Sequence, residues 1–463
     1  MEKILPREIP PTSGLRLTIM ILIKAFAIFL YVIFSKKIFN FSWKNSDSNK
    51  NSLLENKLQK ILNLPNEILI TNSGTAALII ALKTLSKLYP AQNLVILPAY
   101  SCPLLLFAFA IHLPNLKILL CDTKKDSFNF DFLHLQLLIK SEEYKHKILA
   151  VVPTHLGGEI LNLKQLKTLL NNINNNKRNN KNKIFIIEDA AQSLGGKDFA
   201  GNSVGLQGDI GFFSLAVGKG LTMFEGGVLF SKNKKLTELL KIENAKIQFS
   251  WRWNLQRIIE LLAYFVVYRP SLLYYFHGKN IIKSLQKNDL IAACADDFDE
   301  TSVPLHKVDL LRKIIAFVAC DNLKLYWENN INKAKINKNL LLTNLKVNTK
   351  IINTKNNNTY PFLMLLCENE SIRNKIFYTL AMQNLGVSIL FANSLNNYKN
   401  DGNYEKLYQQ NLIINLNNIK YNNNNFENAN NFAKRVLIIT NSEFLSENNL
   451  NLIIQNINKI KYN

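Results

Sequence analysis

Between about Leu58 and Phe230 the chain alternates short apolar runs with stretches of helical length. The runs are EILIT (67–71), LVILP (94–98), KILLC (117–121), ILAVVP (148–153), IFIIED (184–189), GFFSL (211–215) and GGVLF (226–230). They are near-continuously apolar and too short to be helices, and the first leads straight into the helical stretch SGTAALIIALKTLSKL. Such an alternation predicts an α/β domain whose sheet is covered on both faces.

The rest of the chain reads differently. Residues 17–34, LTIMILIKAFAIFLYVIF, carry one charge, Lys24, and are flanked by Arg16, Lys36 and Lys37. The run sits at the lower edge of a bilayer span, and a lysine in its middle would be costly in lipid. A signal peptide is not expected, because acidic and basic residues and two adjacent prolines precede the run and no small-residue cleavage site follows it. Two readings stay open: a helix buried against the protein or at an interface, and a helix in contact with a membrane. A second apolar stretch, 255–276, is interrupted by Arg257, Glu260, Arg269 and Pro270 and reads as a helical connector. After it, helices at 307–345 and 370–384 and strands at 359–367 and 386–391 suggest a smaller α+β domain. The expected division is an N-terminal extension (1–50), a large domain (51–250), a connector (251–296) and a small C-terminal domain (297–463). Asn-rich runs at 171–182, 353–358 and 422–431 read as solvated loop expansions.

Composition narrows the partners. Of 463 residues, 56 are Lys or Arg and 34 are Asp or Glu, a formal net charge of +22. The excess is mostly lysine, spread along the chain and accompanied by heavy Asn and Ile use, all residues with A/T-rich codons. Drift towards such codons is the favoured reading and an anionic membrane surface the alternative; no nucleic-acid-binding motif appears, so nucleic acid is not an expected partner. The five cysteines are scattered and lack a C-x-x-C, which argues against a disulfide framework or a zinc site and suits a reducing compartment. No metal is expected.

Three segments could carry chemistry. Asn72-Ser73-Gly74-Thr75 lies between a strand and a helix, where glycine admits a ligand and helix N–H groups attract an anion; a plain helix cap is the alternative. Glu188 and Asp189 stand at the carboxyl end of an apolar strand, where open α/β sheets bind ligands; a capping Asp is the alternative. Lys219 is set among glycines and apolar residues, where an amine partly removed from water becomes a nucleophile; an exposed loop lysine is the alternative. Together they offer the three handles that pyridoxal 5'-phosphate needs: for phosphate, ring nitrogen and aldehyde.

The order and wording of these blocks resemble the pyridoxal-phosphate-dependent sugar aminotransferases of the DegT/DnrJ/StrS type. The matching blocks are SGTAAL (73–78), LPAYSCP (97–103), CDTKKDSFNFD (121–131), VVPTHLGG (151–158), EDAAQSLGG (188–196) and GDIGFFSLAVGKGL with EGG (208–227). The resemblance covers roughly residues 66–232. It implies a type I aminotransferase fold, with a large mixed-sheet α/β domain and a smaller C-terminal α+β domain. It implies Lys219 as the Schiff-base lysine and proton shuttle, and Asp189 as partner of the ring nitrogen. Gln192 would lie beside the ring hydroxyl, and Gly74, Thr75 and Ser214 would hold the phosphate. It also implies a cytoplasmic homodimer that moves an amino group, most simply from glutamate, to a nucleotide-linked keto-sugar for a polysaccharide or glycoconjugate. The retained lysine points away from the dehydratase branch of the family, where it is replaced.

Three departures stand out. Cys102 occupies the position of an aromatic that stacks on the ring, with Tyr100 as a candidate substitute. Leu305-His306-Lys307 falls where an Asn-x-Arg from the partner subunit is expected. FANSLNNY (391–398) lacks the histidine that such enzymes carry near the sugar. The residues thus predict an intact cofactor site beside an unusual substrate site. They leave open action at the inner membrane face on a lipid-linked or envelope precursor, and a scaffold that kept the fold without turnover.

Overall fold

The computed structural model describes residues 7–39, 53–175, 182–346, 348–352, 358–398, 402–409, 412–414 and 426–460. Of the three Asn-rich runs read as loops, 176–181, 353–357 and 422–425 lie outside these residues, whereas 171–175 end helix Lys164–Asn175 and 427–431 open helix Glu427–Arg435, so those parts are helical and not loop.

Seven strands form the large sheet: β1 (Leu69–Thr71), β2 (Leu94–Pro98), β3 (Lys117–Cys121), β4 (Ile148–Val151), β5 (Phe185–Asp189), β6 (Ile210–Ser214) and β7 (Gly227–Ser231). Their order is β1-β7-β6-β5-β4-β2-β3. Strands β2 to β6 are mutually parallel, while β7 runs antiparallel to both β6 and β1, so the sheet is mixed. Every residue of β2, β4, β5, β6 and β7 is buried, which is why these strands show no polar alternation. The seven apolar runs match these strands to within a few residues.

Four further strands make a second, wholly antiparallel sheet: β8 (Lys350–Ile351), β9 (Phe362–Leu366), β10 (Val387–Ser388) and β11 (Val436–Thr440), ordered β10-β11-β9-β8. The sequence reading did not single out β11, although it lies inside the sheet. Its pairing partners are far upstream, and no helix–strand rhythm surrounds it. Parts of the chain beyond residue 297 also pack on the large sheet's core, including Phe391, Leu395, Tyr398, Tyr404 and Leu412.

The connector is helical. Helix Trp251–Val267 stops before Pro270, whose ring cannot continue a hydrogen-bonded helix. The chain then turns by 113° into helical segments that run to Gln286. The N-terminal apolar run forms helix Ile19–Phe39, with Ile21 and Ala25 buried and Ile23, Phe26 and Phe34 exposed. Among the described residues no single helix is long and apolar enough to cross a membrane.

Candidate active site

The six residues expected to bind the cofactor line one cavity of about 560 Å³ at the carboxyl end of the parallel strands: Gly74, Thr75, Asp189, Gln192, Ser214 and Lys219. Local structure places each. Ser73 caps helix Gly74–Leu88, accepting a hydrogen bond from the Ala76 N–H at 2.9 Å. A Cβ on Gly74 would stand 3.1 Å from the Ser214 Cβ, so glycine lets the helix start abut β6. The first N–H groups of a helix have no intrahelical acceptor, and here the helix start and the residues Thr75 and Ser214 line the same cavity. The Thr75 Oγ1 has no hydrogen-bond partner among the described residues.

Asp189 ends β5. Its Oδ1 accepts from the Ala191 N–H at 3.0 Å, while Oδ2 accepts no hydrogen bond among the described residues. Burial raises its pKa; the Ala191 bond and the nearby His155 and Lys219 oppose that rise. Gln192 is held by its Oε1, which accepts from the Gly157 N–H at 2.6 Å.

Lys219 sits between two glycines with left-handed backbones, Gly218 at φ 73° and Gly220 at φ 91°. Its loop is fastened from the N-terminal segment, where the Leu15 N–H donates to the Gly220 carbonyl at 2.8 Å. A side chain on Gly218 would collide with Thr12. The Lys219 ammonium makes no hydrogen bond or ion pair among the described residues. Burial lowers its pKa, and the neighbouring Cys102 and Asp189 pull it partly back. Its amine is therefore easier to deprotonate than an exposed lysine's.

The two acids at the end of β5 part company. Glu188 is fully buried on the opposite face, where it accepts from His155 Nε2 at 2.9 Å and from the backbone N–H groups of Gly205 and Gly208. His155 Nδ1 accepts from the Leu161 N–H at 3.0 Å, which leaves the ring proton on Nε2. This pair supports the strand and does not face the cavity.

Tyr100 does not cover the ring face. It is 1% exposed, packed between the tilted ring of Phe391 and the edge-on ring of Phe432, and accepts a hydrogen bond from the Phe391 backbone N–H. Cys102 does line the cavity, with its thiol pushed up to about 12 by burial. A small neutral thiol thus stands where an aromatic was expected. His306 and Lys307 do not line their own chain's cavity. His306 is buried and stacked parallel to Trp253, with its Nε2 3.7 Å from Glu225.

Residues that the sequence reading passed over complete the walls. Arg257, His277, Cys294 and Asp296 come from the connector. Asp296 is 3% exposed, and its Oδ2 accepts from the Tyr398 hydroxyl at 2.8 Å and the Ala392 N–H at 2.7 Å. Its Oδ1 makes no hydrogen bond among the described residues, and burial raises its pKa to about 7. Arg257 pairs with Glu225 and Glu260, both at 2.5 Å. An acid inside the small-residue run IAACAD was the one available signal for Asp296.

The donor set fits pyridoxal phosphate. An unpartnered carboxylate oxygen, an unpartnered lysine amine and an unpartnered hydroxyl at a helix start face one cavity, and each meets a different part of that molecule.

Comparison with known proteins agrees. The profile of the DegT/DnrJ/EryC1/StrS aminotransferase family matches residues 36–246. A lipopolysaccharide biosynthesis protein of Salmonella typhimurium is 27% identical over 198 residues, 41% of each chain. An uncharacterized protein of Methanocaldococcus jannaschii is 26% identical over 121 residues, 26% of this chain and 28% of that one. The chain therefore spans well under half the length of these curated relatives. Solved structures follow it almost end to end. A proposed sugar aminotransferase of Streptococcus pneumoniae, in its PLP-form, has a TM-score of 0.65 at 16% identity, covering 97% of this chain and 98% of that one. Helicobacter pylori PseC, an aminotransferase of pseudoaminic acid biosynthesis, has a TM-score of 0.64 at 15% identity, covering 97% and 98%. The E. coli GDP-4-keto-6-deoxy-D-mannose-3-dehydratase scores 0.60 at 15% identity, covering 96% and 99%. At these identities the structures establish the fold, that of the PLP-dependent sugar aminotransferases. Residues 36–246, with Asp189 and Lys219 among them, are thus similar to the DegT/DnrJ/EryC1/StrS aminotransferase family.

Proposed function

We propose that this protein is a pyridoxal-phosphate-dependent aminotransferase. It would carry an amino group from an amino acid, most simply glutamate, to a nucleotide-linked keto-sugar in polysaccharide or glycoconjugate biosynthesis. The observation that carries this reading is the convergence of Lys219, Asp189 and the Gly74–Thr75–Ser214 cradle on one cavity.

When bound, the cofactor supplies an electron sink for the carbon that gains or loses the amino group. The chain's residues do the rest. The helix start at Gly74 and the hydroxyls of Thr75 and Ser214 bind the phosphate dianion. Asp189 Oδ2 holds a proton on the ring nitrogen, and a buried carboxylate needs that positive partner. Gln192, fixed through Oε1, would offer its amide NH₂ to the ring hydroxyl side. Lys219 Nζ takes a proton from the substrate carbon and returns one, as general base and then acid. Burial favours the neutral amine that the first of these acts requires.

The retained Lys219 favours amino transfer over the dehydratase chemistry of the E. coli neighbour. A homodimer and a cytoplasmic setting belong to the same proposal. The deciding experiment is an absorption spectrum with pyridoxal phosphate before and after borohydride, followed by peptide mapping. A yellow species fixed on Lys219 by reduction supports the reading. A colourless protein without a modified lysine overturns it and leaves a scaffold that kept only the fold.

A further inference from the structure

Two helices carry apolar faces that nothing in the described chain covers. On helix Trp251–Val267, Trp251, Leu255, Ile259, Leu262 and Val266 are exposed, from 43% to 64%. Their spacing of three and four residues places them on one face, while Asn254, Leu261 and Tyr264 turn inward. On helix Ile19–Phe39, Ile19, Ile23, Phe26, Leu30 and Phe34 repeat the same spacing and are 38% to 59% exposed. Both helices pack against helix Leu310–Ala319 and share one hydrophobic cluster. The outward face of a surface helix is normally polar, so two such stripes on helices that share one cluster mark an interaction surface.

Charge identifies what covers them. Residues 251–287 contain six Lys or Arg and one acid, Glu260, which is already paired with Arg257. Arg252, Arg269, Lys279, Lys283 and Lys287 are exposed, and the three lysines recur every fourth residue along helix Lys279–Gln286 and its end. Residues 13–34 add the exposed Arg16 and Lys24, with no acid. A second copy of the chain docked here would set these cations against their own kind. An anionic lipid surface would neutralise them while the apolar stripes enter its headgroup boundary. Trp251, Tyr275 and Phe276, all exposed, have the amphipathic or aromatic character favoured at that depth.

We propose that these two helix faces, on helices that share one hydrophobic cluster, dock the protein on an anionic membrane, lying in the interface without crossing it. The inference is independent of the chemistry proposed for the cavity.

The test uses the full chain loaded with pyridoxal phosphate and vesicles of phosphatidylcholine with or without phosphatidylglycerol. Co-sedimentation with the phosphatidylglycerol vesicles is expected, weakening as salt rises. Ile259→Ser with Leu262→Ser, and separately Ile23→Ser with Phe26→Ser, should each weaken binding by ~10-fold or more, because two exposed apolar anchors are removed. Lys279→Gln with Lys283→Gln and Lys287→Gln should abolish the preference for phosphatidylglycerol. These positions are exposed, and unchanged thermal melting of each variant confirms that it folds. No binding to either vesicle overturns the proposal, as does binding that the apolar substitutions leave unchanged. A dimer in the ultracentrifuge that falls apart on the same substitutions would assign the faces to a second copy instead.

Discussion

His155 Nε2 lies 2.9 Å from the Glu188 carboxylate, and both side chains are fully buried behind the strand that carries Asp189. Glu188 thereby closes three hydrogen bonds, to the imidazole and to the turn at Gly205–Gly208. Glu188→Ala would leave the ring N–H and two backbone donors buried and unmet. The expected loss is about 3 kcal/mol or more of folding stability, read by denaturant unfolding of the apoprotein. Wild-type stability in this variant would show that the pair is dispensable.

Asp189 Oδ2 awaits a cationic partner, and the ring nitrogen is the one proposed. Asp189→Ala should weaken pyridoxal phosphate binding by ~10–100-fold, on the scale of one charge-assisted contact. Asp189→Glu should not restore it, since β5 fixes the reach. Titration of cofactor absorbance measures both.

Lys219→Ala should still bind the cofactor through the phosphate cradle but fail to be fixed by borohydride. Its amino-transfer rate should fall by at least ~10³-fold, because both the covalent anchor and the proton carrier are gone. Wild-type-like transamination would overturn the assignment. Without cofactor, replacing the buried amine by an apolar side chain should stabilise the fold. Burial holds the Lys219 pKa below its unfolded value, so the unfolded chain binds the extra proton and stability rises with pH up to the unfolded pKa. Apo Lys219→Met should lose that part of the pH dependence and melt higher than apo wild type at neutral pH.

Asp296 and Glu8 work in the other direction. Their folded pKa values are raised by burial to about 7 and about 8, from 3.8 and 4.5. The native state then holds protons that the unfolded chain has released, so stability present below the unfolded values is lost as pH climbs through the folded ones. Melting temperature should fall between pH 4 and pH 8, and Asp296→Asn should flatten the part of that fall ending near 7. An unchanged profile in Asp296→Asn would mean that its carboxyl titrates normally.

The connector's part in the cavity is also testable. Arg312, fully buried, donates to Asp309 at 2.5 Å, to Asn254 at 2.9 Å and to the Glu225 carbonyl at 3.1 Å. It ties helix Trp251–Val267 to the chain that leaves the Lys219 loop. Arg312→Met should destabilise the fold by about 3–5 kcal/mol, because Asp309 stays buried without its partner. Thermal unfolding checks this.

The sequence alone determined the large sheet and the order along the chain of the cavity-lining residues proposed as the cofactor cradle. Strands buried on both faces write themselves as continuous apolar runs, and the cradle sits at fixed offsets from them: a cap and glycine after β1, an acid at the end of β5, a lysine between glycines after β6. Periodicity could not tell Glu188 from Asp189. Adjacent residues of a strand point to opposite faces, and only the packed sheet shows which face meets the cavity. Nor could it retire Tyr100, whose ring is turned into the core by Phe391 and Phe432 from distant parts of the chain. Tertiary structure alone decided the place of β11, whose partners lie far upstream. It decided the entry of Asp296 into the cavity, clamped by Tyr398 and Ala392. It also decided which side of the N-terminal helix is buried. That helix is apolar all round, so its sequence marks no inward face, and contact with helix Leu310–Ala319 chooses one.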